Sequence, residues 1–154
     1  MRILSAIAIL LSVFCGALWL TTAKAAAPTS VPAEVHYIGH DDAAAILANG
    51  GFLVKEPGVA VQEVRRGPGQ VEYHEHTSHV YLVLDGEATF VVGGTMVDPK
   101  RTAPDQLRSA TADGGTAYHL TKGDVLTVPA KTAHWFKEIP STNIVYYLVS
   151  IETE

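Results

Sequence analysis

Gly69-Gln-Val-Glu72-Tyr-His74-Glu75-His76-Thr-Ser-His79-Val-Tyr81-Leu-Val-Leu-Asp85-Gly86 gathers three histidines ahead of an apolar run that closes on an Asp-Gly turn. His74 and His76 stand at i and i+2, so on a strand both rings point to one face. His79 starts the run after a short Thr77-Ser78 step. Inward parity from His79 selects Tyr81 and Val83, and inward parity from His74 selects Glu72. Glu75 faces outward and is a poor ligand candidate.

Outward from this stretch the chain keeps the same character. Phe52–Val54, Val59–Val64, Val71–His76, His79–Leu84, Ala88–Val92, Ala117–Leu120, Val125–Val128, His134–Lys137 and Ile144–Ile151 are short runs rich in β-branched and aromatic residues. Gly67-Pro68-Gly69, Gly93-Gly94, Gly114-Gly115, Lys122-Gly123-Asp124, Pro129 and Pro140 punctuate them. Many short strands with turns at close spacing predict an antiparallel sandwich or barrel. Asp41-Asp42 before Ala43–Ala48, with Asn49-Gly50-Gly51 after, predicts one short helix capped by Asp and closed by Gly. Met96–Gly115 carries no strand pattern. It is mostly polar, with Pro99, Pro104 and Lys100-Arg101, and reads as a lid or arm beside the barrel mouth or as a solvated insertion.

Four histidines converge in this reading. His134, just after the Gly123–Pro129 strand and turn, joins His74, His76 and His79, and imidazoles from two strands meeting in a barrel interior suit a divalent metal. His36, His40 and His119 read as structural. From His134, parity selects Phe136 as apolar cavity wall. Tyr81 and Glu72 are candidates for positioning substrate or moving a proton, against the plainer roles of core tyrosine and rim carboxylate.

Gly69 through Gly86 resembles the first cupin motif: Gly, then His-x-His, then Glu, six residues, Gly. Gly123-Asp-Val-Leu-Thr-Val-Pro129-Ala-Lys131-Thr-Ala-His134 resembles the second, Gly-x5-Pro-x-Gly-x2-His. Together they cover roughly residues 52–150. The resemblance implies an all-β double-stranded β-helix, the jelly-roll cupin barrel, with one mononuclear metal site. Three departures stand out. The Gly69–His74 gap is four residues rather than five, Lys131 stands where Gly is common, and His79 takes the place of the acidic ligand. Four neutral imidazoles leave the metal's +2 uncompensated, which favours anionic ligands and lowers the pKa of bound water. An all-nitrogen shell favours Fe, Ni, Cu or Zn, with Mn held by some all-histidine cupins.

The whole chain has 154 residues, a formal net charge of −5, and no low-complexity run. One domain is expected at that length, and no basic stripe is present for nucleic acid. Residues 1–25 read as a signal peptide: Arg2, an apolar Ile3–Leu20, and Ala23-Lys24-Ala25 as a small-x-small cleavage site. An uncleaved membrane anchor is the alternative. Cleavage removes Arg2 and Lys24, two positive charges, taking the net charge from −5 to −7. It also removes Cys15, the single cysteine, so thiol chemistry and disulfides drop out. Phe14 before Cys15 argues against lipidation. Residues 26–51 form the lead-in and helix, and 52–154 the barrel.

The expectation is a periplasmic or secreted protein that binds one divalent transition metal and a small-molecule substrate, with a homodimer an open alternative. Metal-dependent, dioxygenase-like, isomerase or lyase chemistry leads. A non-catalytic ligand-binding cupin and a structural or storage barrel remain as alternatives, since fold does not choose chemistry.

Overall fold

The computed structural model describes residues 34–152 apart from 50 and 66, so the expected leader at 1–25 lies outside the described residues. The chain runs α1 (His40–Asn49), β1 (Val54–Glu56), β2 (Val59–Arg65), β3 (Val71–His74), β4 (Thr77–Asp85), β5 (Ala88–Val92) and β6 (Thr95–Val97). It continues β7 (Lys100–Ala103), β8 (Gln106–Ser109), β9 (Thr111–Asp113), β10 (Thr116–Leu120), β11 (Val125–Val128), β12 (His134–Glu138) and β13 (Ile144–Glu152). Every pairing is antiparallel. One sheet has the order β1-β2-β13-β4-β11, the other β10-β5-β12-β3-β8-β7, and β6 pairs with β9. This is the jelly-roll barrel with one short N-terminal helix. Among the described residues no helix is long and apolar enough to cross a membrane.

The helix begins one residue before the expected cap. Gly39 offers its carbonyl to the Ala43 amide at 2.9 Å, and Asp41 and Asp42 sit in the first turn. There they complement the positive end of the helix dipole.

Alternation along the strands builds the core. On β4, His79, Tyr81 and Val83 are buried while Leu82 between them is exposed. On β13, Ile144, Tyr146 and Leu148 are buried. Tyr81, Val83, Ile144, Tyr146 and Leu148 form one cluster between the sheets with Ala88, Phe90, Leu120, Val128 and Phe136. Each large apolar side chain removed from water there contributes about 1.5–3 kcal/mol.

From β2 to β5 and again from β10 to β13 successive strands change sheet, and two of these crossings need special residues. Between β4 and β5 the chain turns at Gly86, where φ is +80° and an added Cβ would lie 2.3 Å from the Asn143 carbonyl. Only glycine fits that approach, which explains its place at the end of the motif. Before β12, Lys131 adopts φ +63°. This left-handed conformation is the reason glycine is common there, and the Lys131 amide uses it to donate to the His74 carbonyl at 2.6 Å.

The stretch from Met96 to Gly115 is not an unstructured arm. It folds as β6–β9, and β8 extends the six-stranded sheet by pairing with β3 in the register Glu72↔Arg108 and His74↔Gln106. Lys100–Ala103 are exposed on both faces, so this hairpin carries no apolar alternation by which the sequence could signal strands. Backbone pairing and the Pro104-Asp105 turn hold it instead.

Candidate metal centre

Three elements from the two facing sheets bring three imidazoles together. His74 ends β3 and His134 begins β12 in the six-stranded sheet, while His79 lies on β4 in the other. One ligand-capable nitrogen from each lies within 4.8 Å of the other two. The ring centroids are 4.8 Å apart for His74–His79, 5.2 Å for His79–His134 and 5.8 Å for His74–His134. His79 and His134 are buried, and His74 is partly so.

The outer nitrogen of each ring faces a neighbour. His134 Nδ1 lies 2.9 Å from the Thr132 carbonyl, which can only accept, so this nitrogen carries the proton and Nε2 keeps its lone pair. His79 Nδ1 lies 3.1 Å from Ser150 Oγ. His74 Nδ1 lies 3.7 Å from Asp105 Oδ2, and its Nε2 is 3.9 Å from Glu72 Oε2. The Thr132 carbonyl fixes the orientation and tautomer of His134, and the Ser150 hydroxyl orients His79. The donor set of buried, oriented imidazoles fits a divalent transition metal.

Burial, reinforced by the neighbouring His134 and His74, pushes His79 down to about 3 from 6.5, against the opposing fields of Glu72 and Asp105. The ring is therefore neutral near pH 7, the form a metal requires. The unfolded chain protonates this histidine near pH 6.5 and the metal-free folded chain does not until about 3. Its contribution favours folding fully above pH 6.5 and is lost progressively below it. Thermal melts of metal-free protein are expected to fall between pH 6.5 and 5, and a His79→Asn variant is expected to fall less. Parallel pH dependence in the two proteins would contradict this account.

His76 does not share the inward face with His74. Strand β3 ends at His74, Glu75 and His76 form a bend, and β4 starts at Thr77. Two-residue parity does not survive a bend. The His76 side chain is exposed and lies outside the convergent trio, while its amide donates to Asp105 Oδ1. Glu75 faces away from the site, as expected, in a two-pronged pair with Arg101 at 2.7 and 2.8 Å that holds its carboxyl below the usual range.

Tyr81 and Glu72 both line the cavity that the trio borders, which measures about 410 Å³. Tyr81 is buried among Phe90, Phe136 and Tyr146, with ring centroids at 5.0, 6.1 and 5.5 Å. Phe136 forms apolar wall, as its parity predicted. Glu72 sits opposite His134 across β3 and β12, and its Oε1 is 3.0 Å from Arg108 Nη2.

Asp105, Gln106 and Arg108 escaped the sequence reading because no pattern marked β8 as a strand. Asp105 fastens this hairpin to the site. It accepts from Thr77 Oγ1 at 2.6 Å and from the His76 amide, and its carbonyl accepts from the Glu75 amide at 3.0 Å. Burial opposes its ionisation, yet these bonds and nearby His74 together hold the carboxyl below its ordinary range.

No protein-family model matches the chain, and no curated protein does. Solved structures do. The cupin domain of Cnp3 from Schizosaccharomyces pombe is 19% identical, covers 67% of this chain and 63% of that one, and has a TM-score of 0.48. Hydroquinone 1,2-dioxygenase PnpCD, solved with Cd2+ and 4-hydroxybenzonitrile, is 17% identical over 70% of this chain and 66% of that one, at 0.49. A cupin protein from Bacteroides fragilis is 15% identical over 62% and 66%, at 0.42. The chain spans less than two thirds of the length of each.

Proposed function

We propose that this is an exported mononuclear metal-binding cupin, and that it acts as an enzyme on a small oxygen-bearing or anionic substrate. The observation that carries the reading is the histidine trio, two of its rings buried, beside a cavity of small-molecule size. A divalent transition metal held by His74, His79 and His134 supplies Lewis acidity and lowers the pKa of bound water.

The chain's own residues supply the rest. Phe90, Phe136 and Leu148 line the cavity with apolar surface that limits water around the reacting atoms. Gln106 and Arg108 add polar side chains suited to orienting a carboxylate, enolate or phenolate. Tyr81 carries the hydroxyl that holds or moves a proton, a role the cavity lining supports. Dioxygenase, isomerase and lyase chemistry all use these parts, with dioxygenase-type reaction the leading form. Export rests on the leader at 1–25, with a periplasmic or secreted location following from it.

Metal analysis of protein loaded separately with Fe2+, Mn2+, Ni2+, Zn2+ and Cu2+, followed by an oxygen-electrode and product screen against small phenols and hydroxy or keto acids, tests the reading. One equivalent of at least one metal and turnover that disappears on chelation are expected. Metal without turnover but with substrate-class binding would favour the non-catalytic ligand binder. Failure to hold any of the five metals would overturn the centre.

A further inference from the structure

The inward pair on β3 is Glu72 and His74, two residues apart on one pleat face. We propose that Glu72 supplies the fourth ligand of the metal centre through Oε2, giving three imidazoles and one carboxylate rather than four imidazoles. The inference rests on the metal centre proposed above and names its missing donor.

Four observations converge. Glu72 Oε2 lies 3.9 Å from His74 Nε2, at the border of the three imidazoles whose ligand atoms lie mutually within 4.8 Å. Glu72 stands directly opposite His134 in the β3–β12 register, so strand pairing brings the carboxylate to the trio from the same sheet. Arg108 Nη2 engages the other oxygen, Oε1, at 3.0 Å, which fixes the carboxylate plane with Oε2 as the atom near His74. Finally, His76, one of the four expected ligands, is exposed on the bend.

The chain order then acquires a physical sense. The motif it resembles has imidazole first and carboxylate last, ahead of six residues and Gly. Here the carboxylate stands first, at Glu72, and the imidazole last, at His79. Two ligands have exchanged places between facing sheets. The site keeps one negative charge against the metal's +2, so the uncompensated dication expected from four histidines does not arise. An oxygen donor also widens the accessible metals towards Mn2+ and Fe2+. Arg108, on β8, becomes a positioning residue for a ligand.

Titrations of Co2+, followed by its visible absorption, and of Zn2+, followed by calorimetry, test this on the full chain. Glu72→Gln is expected to bind both ions at least tenfold more weakly, with a changed Co2+ spectrum. Glu72→Asp keeps the charge but shortens the reach, and is expected to change the spectrum as well. It also decides the matter should Glu72→Gln fail to fold. Arg108→Gln removes the ion pair while leaving the carboxylate, and is expected to weaken binding clearly less than Glu72→Gln does. Unchanged affinity and spectrum in the folded Glu72 variants would overturn the proposal. So would an Arg108→Gln loss equal to that of Glu72→Gln, because the carboxylate would then serve only to anchor β8. A parent protein that binds neither ion would overturn the metal centre itself.

Discussion

His79→Ala is expected to abolish stoichiometric metal binding, while His76→Ala, three residues earlier, is expected to leave it intact. His79 is the trio's only member from the five-stranded sheet, and it is 5% exposed. Without it the remaining imidazoles, His74 and His134, both come from the six-stranded sheet, and no nitrogen closes the site from the opposite side. A loss of at least a hundredfold in affinity, about 2.7 kcal/mol, is expected. His79→Ala also leaves a cavity where a buried ring stood and removes the contact to Ser150, which costs the metal-free form about 2–5 kcal/mol. The sharper signature is linkage. Zn2+ raises the melting temperature of the parent by mass action and does not raise that of His79→Ala. Metal content and melts with and without Zn2+ measure both effects. A full equivalent of metal in His79→Ala, or none in His76→Ala, would contradict the site described here.

The contrast between these two histidines shows where sequence is legible. Alternation on β4 gave His79, Tyr81 and Val83 correctly as an inward row, because a long strand paired on both edges keeps its two-residue period. His134 was placed by its turn, and the Lys131 conformation shows why that turn has its form. His76 was placed by extending β3 beyond its end. Nothing in Glu75 or His76 signals that the chain leaves one sheet there for the other. The crossing is set by tertiary bonds to Asp105 from a hairpin distant in sequence. That hairpin was itself illegible, because edge strands exposed on both faces have no apolar period. The same gap hid Arg108, whose ion pair holds Glu72 within 3.9 Å of His74.

Phe90→Ala is expected to destabilise the protein by about 3–5 kcal/mol, a large share of the 5–15 kcal/mol typical of a domain. Phe90 is fully buried on β5, between β10 and β12, and stands opposite both Tyr118 and Phe136 in register. Its ring lies 4.6 Å from Phe136 and 5.0 Å from Tyr81, edge-on or tilted, in geometries that add to simple area burial. It also lies 6.0 Å from the His134 ring at an interplanar angle of 28°. One side chain thus serves the core and the support of a ligand. Truncation enlarges the cavity against His134 and releases the ring on its apolar side, while the Nδ1 contact to the Thr132 carbonyl stays. Metal affinity is therefore expected to fall along with stability, although Phe90 offers no donor atom. Phe90→Leu separates the two effects. It retains most of the volume at a cost of about 1.5 kcal/mol or less, so metal binding is expected to survive. Calorimetric melts of the metal-free variants give the first quantity and Co2+ titration at a temperature where both are folded gives the second. If Phe90→Ala loses stability but binds Co2+ as tightly as the parent, the aromatic layer supports the barrel alone, and His134 is held sufficiently by its own strand and the Thr132 carbonyl.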